Sequence, residues 1–530
     1  MSTTTLAALL LSFSLCFAEP SWALNVRGDA DLTKFVTRPD IKAPLFEITH
    51  YDEAALAPGL WFLGPYAHLF QSKGHPKLHQ PCQTGPHIYT HDGELVWSGA
   101  CTFDNRVACD VRSFRANGSA FVTAIIMPDA TDPKGHGVIM NDKYDVVSRI
   151  QAPPGTASFN MHELTMVDNG SRAVYLVTKP RFVDMAGLIS DTDSGWIVDM
   201  AILEIDLQTG LLSFEWWASD HIGLSESSAI LKDYGMRASG WDWLHINSVT
   251  KNHQGDFLMS ARYTDCIYKI SGQNGNILWR LGGTNSDFAL VDFNFSRQHD
   301  AQWLEHNETT EIISFLDNGA DDHGYFTSNM SSALVVRLES RAHQPHAKLV
   351  QRIWRPDGGI SHLRGNFQIL PNGNRLISWS ENAYITEHAE DGRLLMSASF
   401  KSERFVTYRV HKLPFEGFPT EKPRLHAVAY RAGESAITSY SVSWNGATNV
   451  ATWRFWQVSD ANDDATLIGE APHRGFETAF QSQGCETRVF AEALDRAGWT
   501  LGTTSIVAIP PPALPHLHVA TDDEAEHDEL

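Results

Sequence analysis

The sequence predicts an all-β protein: a β-propeller over about residues 40–415, followed by a β-sandwich over about residues 425–507. Short runs of alternating apolar and polar residues, separated by Gly, Asp and Asn, fill the first region, and long helical periodicity is absent. A phrase made of a Gly-containing turn and an aliphatic run also recurs at intervals of tens of residues, as in propeller blades. Because the intervals are irregular, an array of sandwiches remains the alternative.

The recurring phrase has the composition of a tight hairpin. It occurs at 91–97, 208–216, 273–279 and 390–395, and most copies carry the Asp-Gly or Asn-Gly pair that supplies the positive φ of a type I′ turn. A second hairpin pattern precedes several of these copies, at 167–170, 252–255 and 371–374. We therefore expect repeated antiparallel units that bury one another's faces.

The pattern changes after Pro414. Short aromatic-rich runs follow at 440–444, 451–456 and 487–493, which is typical of an immunoglobulin or fibronectin type III sandwich. Three consecutive prolines, at 510–512, end this unit. An acidic tail at 513–530 completes the predicted domain order.

The two ends of the chain predict its compartment. Residues 1–23 are expected to be a cleavable signal peptide, because their uncharged apolar run at 6–17 is shorter than the roughly 20 residues that span a bilayer. No second run is long enough, so we expect no membrane insertion. The chain ends on His527-Asp528-Glu529-Leu530, which predicts binding to the retention receptor and residence in the endoplasmic reticulum lumen of a fungal or plant host.

An oxidising lumen would also modify the chain. Cys16 leaves with the signal, and an odd number of cysteines remains, at positions 82, 101, 109, 266 and 485. We expect Cys82 to form a disulfide with Cys101 or Cys109, and the other thiols to be structural, since none has zinc-ligand spacing. No metal site is expected. N-glycosylation sequons begin at Asn117, Asn169, Asn294, Asn307 and Asn329.

The net charge of −22 argues against a nucleic-acid partner, which would need basic patches. Polar and basic residues instead interrupt apolar strands within one block, at 241–249, 260–262, 277–283 and 297–300. In a propeller, inward positions on the inner strands line the central channel. The block therefore predicts a small-molecule site at the axis.

This block resembles the arylsulfotransferase (ASST) family, and in particular its secreted fungal branch. The resemblance covers most of 60–415 and rests on phrases in the same order, at 160–163, 242–249, 257–262, 279–283, 298–299, 365–366 and 371–374. It implies a six-bladed propeller. It also implies transfer of a sulfuryl group from an aryl sulfate to a phenol, without a nucleotide donor and without a cofactor. No Gly-rich phosphate loop is present, which agrees with that donor.

The resemblance assigns roles to four positions, and the alternation of side chains along a strand adds a fifth. His299 would attack the sulfur and become sulfohistidine, since imidazole is nucleophilic near neutral pH. His162, His245 and Arg262 would surround the sulfuryl oxygens and offset their charge. Asn247 would point the same way as His245 on a strand, two residues on, and could add a donor to substrate.

Two other classes of function remain open. The fungal branch also resembles, more loosely, propeller enzymes of fungal secondary metabolism that catalyse cyclisations or cycloadditions. A channel with His and Arg donors could polarise an enone or quinone methide as readily as a sulfate ester. The second class is a non-catalytic luminal propeller that binds glycoproteins or folding clients. The mass of the protein's peptides distinguishes both classes from sulfuryl transfer, since only a sulfohistidine adds a sulfuryl group to one peptide.

Overall fold

A computed structural model describes residues 30–67, 82–188, 194–306, 310–340, 342–402, 404–432 and 435–510. The predicted signal peptide, the acidic tail with its retention tetrapeptide, and Asn307 lie outside these ranges. Within them the protein is all-β, as predicted, and built from many small sheets.

The first thirteen strands run through residue 251: β1 Phe46–His50, β2 Leu60–Ala67, β3 His87–Tyr89, β4 Leu95–Ser98, β5 Ala108–Ala116, β6 Ser119–Ile126, β7 His136–Asn141, β8 Val146–Gln151, β9 Ser158–Val167, β10 Arg172–Asp184, β11 Ser194–Asp206, β12 Leu212–Trp217 and β13 Ile246–Lys251. The next thirteen end before the predicted domain boundary: β14 Phe257–Ala261, β15 Cys266–Ile270, β16 Ile277–Gly282, β17 Ala289–Val291, β18 His299–His306, β19 Glu311–Asp317, β20 Ser332–Glu339, β21 His346–Trp354, β22 Asn366–Ile369, β23 Arg375–Ser378, β24 Ile385–His388, β25 Leu394–Phe400 and β26 Phe405–Leu413.

Helical structure among the described residues is limited to single 3₁₀ turns, at Glu53–Ala55, Asp168–Gly170, Ala218–Asp220, Leu224–Glu226, Arg262–Thr264 and Glu381–Ala383. No helix of the described part is long and apolar enough to cross a membrane.

Strands β1 to β26 form six sheets of four or five strands. Their orders are β26-β2-β3-β4, β5-β6-β7-β8, β9-β10-β11-β12, β13-β14-β15-β16, β18-β19-β20-β21-β17 and β22-β23-β24-β25-β1. Two sheets join distant parts of the chain. Strand β26 pairs with β2, so that Trp61 faces Lys412, and β1 pairs with β25, so that Phe46 faces Phe400.

One edge strand of each sheet, β5, β9, β13, β18, β22 or β26, lies beside the corresponding strand of the next sheet. Contacts run from β26 to β5, then to β9, β13, β18 and β22, and from β22 back to β26. We call these six the leading strands. Apolar clusters fill the space between neighbouring sheets; one of them packs Trp243 and Tyr268 against Ile202.

The remaining strands form two further sheets with a core of their own. They are β27 Arg424–Ala432, β28 Ser435–Ser443, β29 Thr452–Val458, β30 Ala465–Pro472, β31 Glu477–Gln483, β32 Arg488–Leu494, β33 Thr500–Thr503 and β34 Val507–Ala508. One sheet has the order β27-β28-β31 and the other β30-β29-β32-β33, with β34 also paired to β32. Tyr440, Trp453 and Phe455 are buried between them. Tyr144 Oη donates to Gly446 O at 2.7 Å and ties this unit to β7 and β8.

The disulfide joins Cys82 to Cys101, one of the two pairings expected. Of the other thiols, Cys109 and Cys266 are buried and Cys485 is exposed. The asparagines of the four described sequons, at 117, 169, 294 and 329, are all exposed, so glycosylation stays a prediction that their positions permit.

Candidate active site

Three of the four predicted site residues lie in or directly before leading strands, and the fourth, Arg262, follows the neighbouring strand β14. His162 is in β9, His245 directly precedes β13, Arg262 follows β14, and His299 opens β18. The rings of His162 and His245 meet edge to face with centroids 4.7 Å apart, and the Arg262 N–H donates to His245 O at 3.0 Å. The Arg262 charge and His245 both act on the pKa of His299. The structure therefore brings all four together.

His299 is held in one tautomer. Its Nδ1 lies 2.8 Å from Asn318 Oδ1 and 3.1 Å from Arg297 O, which are both acceptors, so Nδ1 carries the proton. The Asn318 amide cannot turn round, because its NH₂ group donates to Ser361 O and Arg364 O. Nε2 therefore holds the lone pair, and it accepts a hydrogen bond from the Arg364 backbone N–H at 3.3 Å, which an attack on substrate would have to replace.

The same residue is neutral at physiological pH. Burial, followed by the Arg262 charge, holds the pKa of His299 well below its usual value of 6.5. The imidazole is only 2% exposed. A buried, neutral ring with a fixed lone pair is the form in which histidine acts as a nucleophile.

His245 is positioned by a carboxylate. Its Nδ1 lies 2.5 Å from Asp242 Oδ2, so this nitrogen donates and Nε2 is left for a ligand. The backbone is left-handed, with φ 56°, an uncommon conformation for a residue with a side chain. The ring also meets Tyr263 edge to face at 5.2 Å. A histidine oriented by a carboxylate is suited to carrying a proton to and from a bound ligand.

His162 is oriented by its own strand. Its Nδ1 hydrogen-bonds Asn160 Oδ1, which leaves Nε2 without a proton while the ring is neutral. Burial, followed by the neighbouring His245, holds the pKa of His162 well below 6.5. Tyr408 of β26 meets its ring edge to face at 5.2 Å.

Arg262 places a positive charge beside the three histidines. The side chain is buried, and its guanidinium donates to Tyr263 Oη at 2.9 Å and to the carbonyl of His362 at 3.0 Å. Its Asp322 partner is at 3.3 Å, and Nε has no partner among the described residues. The guanidinium thus keeps donor capacity for an anion.

Asn247 is engaged with the protein. Its amide Nδ2 donates to Gln298 O at 2.7 Å, and its carbonyl oxygen O accepts from Tyr408 Oη and from Arg409. The side-chain Oδ1 is buried without a partner in the described part of the chain. The donor role predicted for Asn247 toward substrate therefore stays a prediction, and what the structure assigns to it is the joining of β13 to β18 and β26.

A buried ion cluster lies further along the leading strands. Arg409 of β26, fully buried, is 3.0 Å from Asp110, 3.1 Å from Glu163 and 3.5 Å from Asp300. Arg112 pairs with the first two of these carboxylates. The cluster connects β5, β9, β18 and β26. Its ion pairs hold these four strands, each from a different sheet, next to one another.

Sequence reasoning did not anticipate three contributors: Asp242, Asn318 and Arg364. Asp242 stands in a motif already noted, three residues before His245, and could have been recognised as its partner. Asn318 and Arg364 lie in loops, after β19 and before β22. The sequence Asp-Asn-Gly at 317–319 predicts only a turn, and no local pattern indicates that Asn318 contacts His299.

The fold and this site define an all-β protein with a buried histidine and arginine centre. Residues 124–401, more than half of the 530-residue chain and including all four site residues, match the family described as Arylsulfotransferase (ASST). The chain belongs to the arylsulfotransferase (ASST) family. This membership suggests an aryl sulfotransferase-like activity and a small aryl substrate. No curated protein matches the chain.

Several solved structures resemble the chain at low identity. A protein of unknown function from Bacteroides caccae is 14% identical, with 67% of this chain and 98% of that chain covered and a TM-score of 0.38. Virginiamycin B lyase from Staphylococcus aureus, with quinupristin, is 10% identical, with 73% and 93% covered and a TM-score of 0.29. The GH43 protein BlXynB from Bacillus licheniformis is 8% identical, with 75% and 88% covered and a TM-score of 0.29. At these TM-scores the likenesses carry no argument about function.

Proposed function

We propose that the protein transfers a sulfuryl group from an aryl sulfate to a phenolic acceptor through a sulfohistidine at His299. The observation that carries this proposal is the fixed lone pair on Nε2 of a buried neutral imidazole, next to Arg262 and two further histidines. The choice of an aryl sulfate as substrate follows from membership in the family. The sulfohistidine step is the part that goes beyond the family match.

The first half-reaction needs only groups already in place. Nε2 of His299 attacks the sulfur, the N–S bond forms, and the bond from sulfur to the aryl oxygen breaks, releasing a phenolate. In the second half-reaction the acceptor phenol loses its proton and its oxygen attacks the same sulfur, which returns the neutral imidazole. His245, oriented by Asp242, is placed to take the acceptor's proton on Nε2, and in that protonated form it can give the same proton to the leaving phenolate of the next donor molecule.

Charge on the three sulfuryl oxygens must be offset during both steps. Arg262 provides a planar set of donors that need no reorganisation in a buried site. His162 is neutral without ligand, with an unprotonated Nε2, so it cannot donate there at first. An anion beside it would raise its pKa. Binding of the sulfate ester is therefore coupled to proton uptake at His162.

We also propose an arrangement for the sheets and a cellular compartment for the protein. We take the six sheets as blades of a six-bladed propeller at 40–415, and the last two sheets as an immunoglobulin-like sandwich at 425–507. The support is the successive contact of the leading strands, together with the pairing of β26 with β2. A crystal structure in which these strands do not surround one axis would refute the blade assignment. The proposed compartment is the endoplasmic reticulum lumen of a fungal cell.

The test is turnover of 4-nitrophenyl sulfate with a phenol, together with mass analysis of the protein after donor alone. The wild-type peptide that contains His299 should gain one sulfuryl group. His299→Ala should lose at least about a thousandfold in turnover and the mass increment, because the nucleophile is removed. His388→Ala is the matched control: this histidine of β24 is also buried, with a pKa lowered by burial, but its ring nitrogens hydrogen-bond Gly392 O and Thr386 Oγ1.

The control should react as the wild type does. Undiminished turnover by His299→Ala, or a mass increment on another peptide, would contradict the sulfohistidine at this position. If the wild type shows neither turnover nor a mass increment, the proposal of sulfuryl transfer is wrong. The description of the fold and of the cluster of site residues would not be affected.

A further inference from the structure

Arg364 differs from every other buried cation in the described part of the chain. The others each have a carboxylate within ion-pair distance: Arg38 with Asp40, Arg262 with Asp322, Arg297 with Asp265, Arg355 with Asp357, Arg404 with Asp31, Arg409 with Asp110, Lys269 with Glu311 and Lys412 with Glu387. Arg364 is 9% exposed, and none of the described carboxylates pairs with it. A buried guanidinium without a counter-ion is costly.

The side chain of Arg364 lies near the candidate active site but points to a different part of it. Its backbone N–H faces His299 Nε2, whereas its guanidinium lies over the ring of Tyr66, 5.4 Å from the centroid. The same charge acts on Cys109 of β5, where it opposes the burial that raises the pKa of that thiol to about 12. The leading charge on His299 is that of Arg262 instead.

A second unused polar group accompanies this cation. The hydroxyl of Tyr66 is buried, and its O–H has no acceptor among the described residues. An unpaired cation and an unpaired donor, side by side in the interior, both lack the same thing: an acceptor that carries negative charge. A carboxylate fits, because its two oxygens can bind a guanidinium side by side and also accept from a hydroxyl.

The geometry separates this carboxylate from the sulfuryl group. A sulfuryl group on Nε2 of His299 would lie against the Arg364 backbone N–H, while the guanidinium extends toward Tyr66. Because one residue faces both places, a single substrate molecule could occupy them together.

We propose that Arg364 and Tyr66 bind a carboxylate on the aryl substrate, so that the preferred substrates are phenolic acids or their sulfates. This assignment rests on the proposed function for its reaction, but the carboxylate site is a statement about binding alone. It explains why one buried arginine, unlike the others, has no acidic partner in the protein.

The experiment is calorimetric titration of the purified protein with 4-hydroxybenzoate and with its neutral isostere 4-hydroxybenzamide. The wild type should prefer the carboxylate by about tenfold or more, since the amide leaves a buried charge unpaired. Arg364→Gln should bring the ratio of affinities near one, and Tyr66→Phe should reduce it. Arg38→Gln, which removes another buried arginine, is the matched control and should keep the wild-type ratio.

Two results would overturn the assignment. One is equal binding of both compounds by the wild type. The other is a ratio that persists in Arg364→Gln but is lost in Arg262→Gln, which would place the carboxylate at the proposed sulfuryl position. Arg364→Met gives a second measurement without ligand, because relief of the unpaired charge should raise Tm, whereas Arg38→Gln should lower it; a lowered Tm would count against the unpaired state. If the ratio holds while no sulfohistidine forms, only the proposed reaction fails.

Discussion

Asn318 controls the tautomer of His299, and its removal should leave a kinetic signature of definite sign. In Asn318→Ala, Nδ1 of His299 loses its acceptor at 2.8 Å and keeps only Arg297 O at 3.1 Å. One net hydrogen bond is about 0.5–1.5 kcal/mol, which corresponds to a roughly two- to tenfold loss in kcat/KM. The Asn318 bond also raises the pKa of His299, against burial and Arg262. Its loss should therefore move the acid limb of kcat/KM to lower pH.

A merely structural effect would move that limb the other way. Loosening of the site would admit water, weaken the desolvation that lowers the pKa of His299, and shift the limb up toward 6.5. The assay is the pH dependence of kcat/KM for the wild type, Asn318→Ala and a control, Asn374→Ala. Asn374 is also a buried amide, donating to Ala55 O and Glu387 at 2.8 Å, but lies outside the site. An unchanged rate, or an acid limb that rises, would refute the role of Asn318.

Two further predictions concern the whole chain. Burial lowers the pKa of His87 to about 4, and also lowers those of His388 and His473, so the unfolded chain binds more protons than the folded one. The contribution of these histidines to stability should be fully present above about pH 6.5 and should be lost as pH drops toward 4. Asp317, whose pKa burial raises to about 7, should have the opposite effect. We expect the histidines to outweigh this one aspartate, so a Tm at pH 5 at or above that at pH 7 would contradict the prediction. Deletion of residues 527–530 should release the protein into the medium; equal secretion of both forms would rule out retention.

The hairpin signals proved more regular in space than along the chain. The phrase at 91–97, 208–216, 273–279 and 390–395 falls each time at the connection between the third and fourth strands of a sheet, counted from its leading strand. The second pattern, at 167–170, 252–255 and 371–374, falls at the connection between the first and second strands. The irregular spacing comes from the long segments that join one sheet to the next, such as 218–245. Turn chemistry is local, and it is therefore readable from sequence.

Other features depend on contacts between distant segments. The pairings of β26 with β2 and of β1 with β25 join residues more than 300 positions apart, and no local pattern encodes them. The same holds within the site. His162, His245, Arg262 and His299 were recognisable because each stands in a motif, but Asn318 and Arg364 act through loops that reach His299 from neighbouring strands. Nothing in the sequence around Asn318 and Arg364 predicts a role at the site; the role is visible only from their contacts with His299.

Part of the backbone strain lies where the chemistry is proposed. Five of the non-glycine residues with left-handed φ stand in a leading strand or one or two residues before it: Asp110 at 49°, His245 at 56°, Arg297 at 54°, Asp300 at 57° and Arg364 at 65°. Such conformations cost energy and persist only where the surroundings hold them. Here the surroundings do so: Asp110 and Asp300 pair with Arg409, and Arg297 with Asp265 and Asp321. The arrangement turns the Arg364 N–H toward His299 and leaves the Arg364 guanidinium unpaired. The hydrogen bond to His299 accounts for the first feature, and the proposed anionic substrate would account for the second.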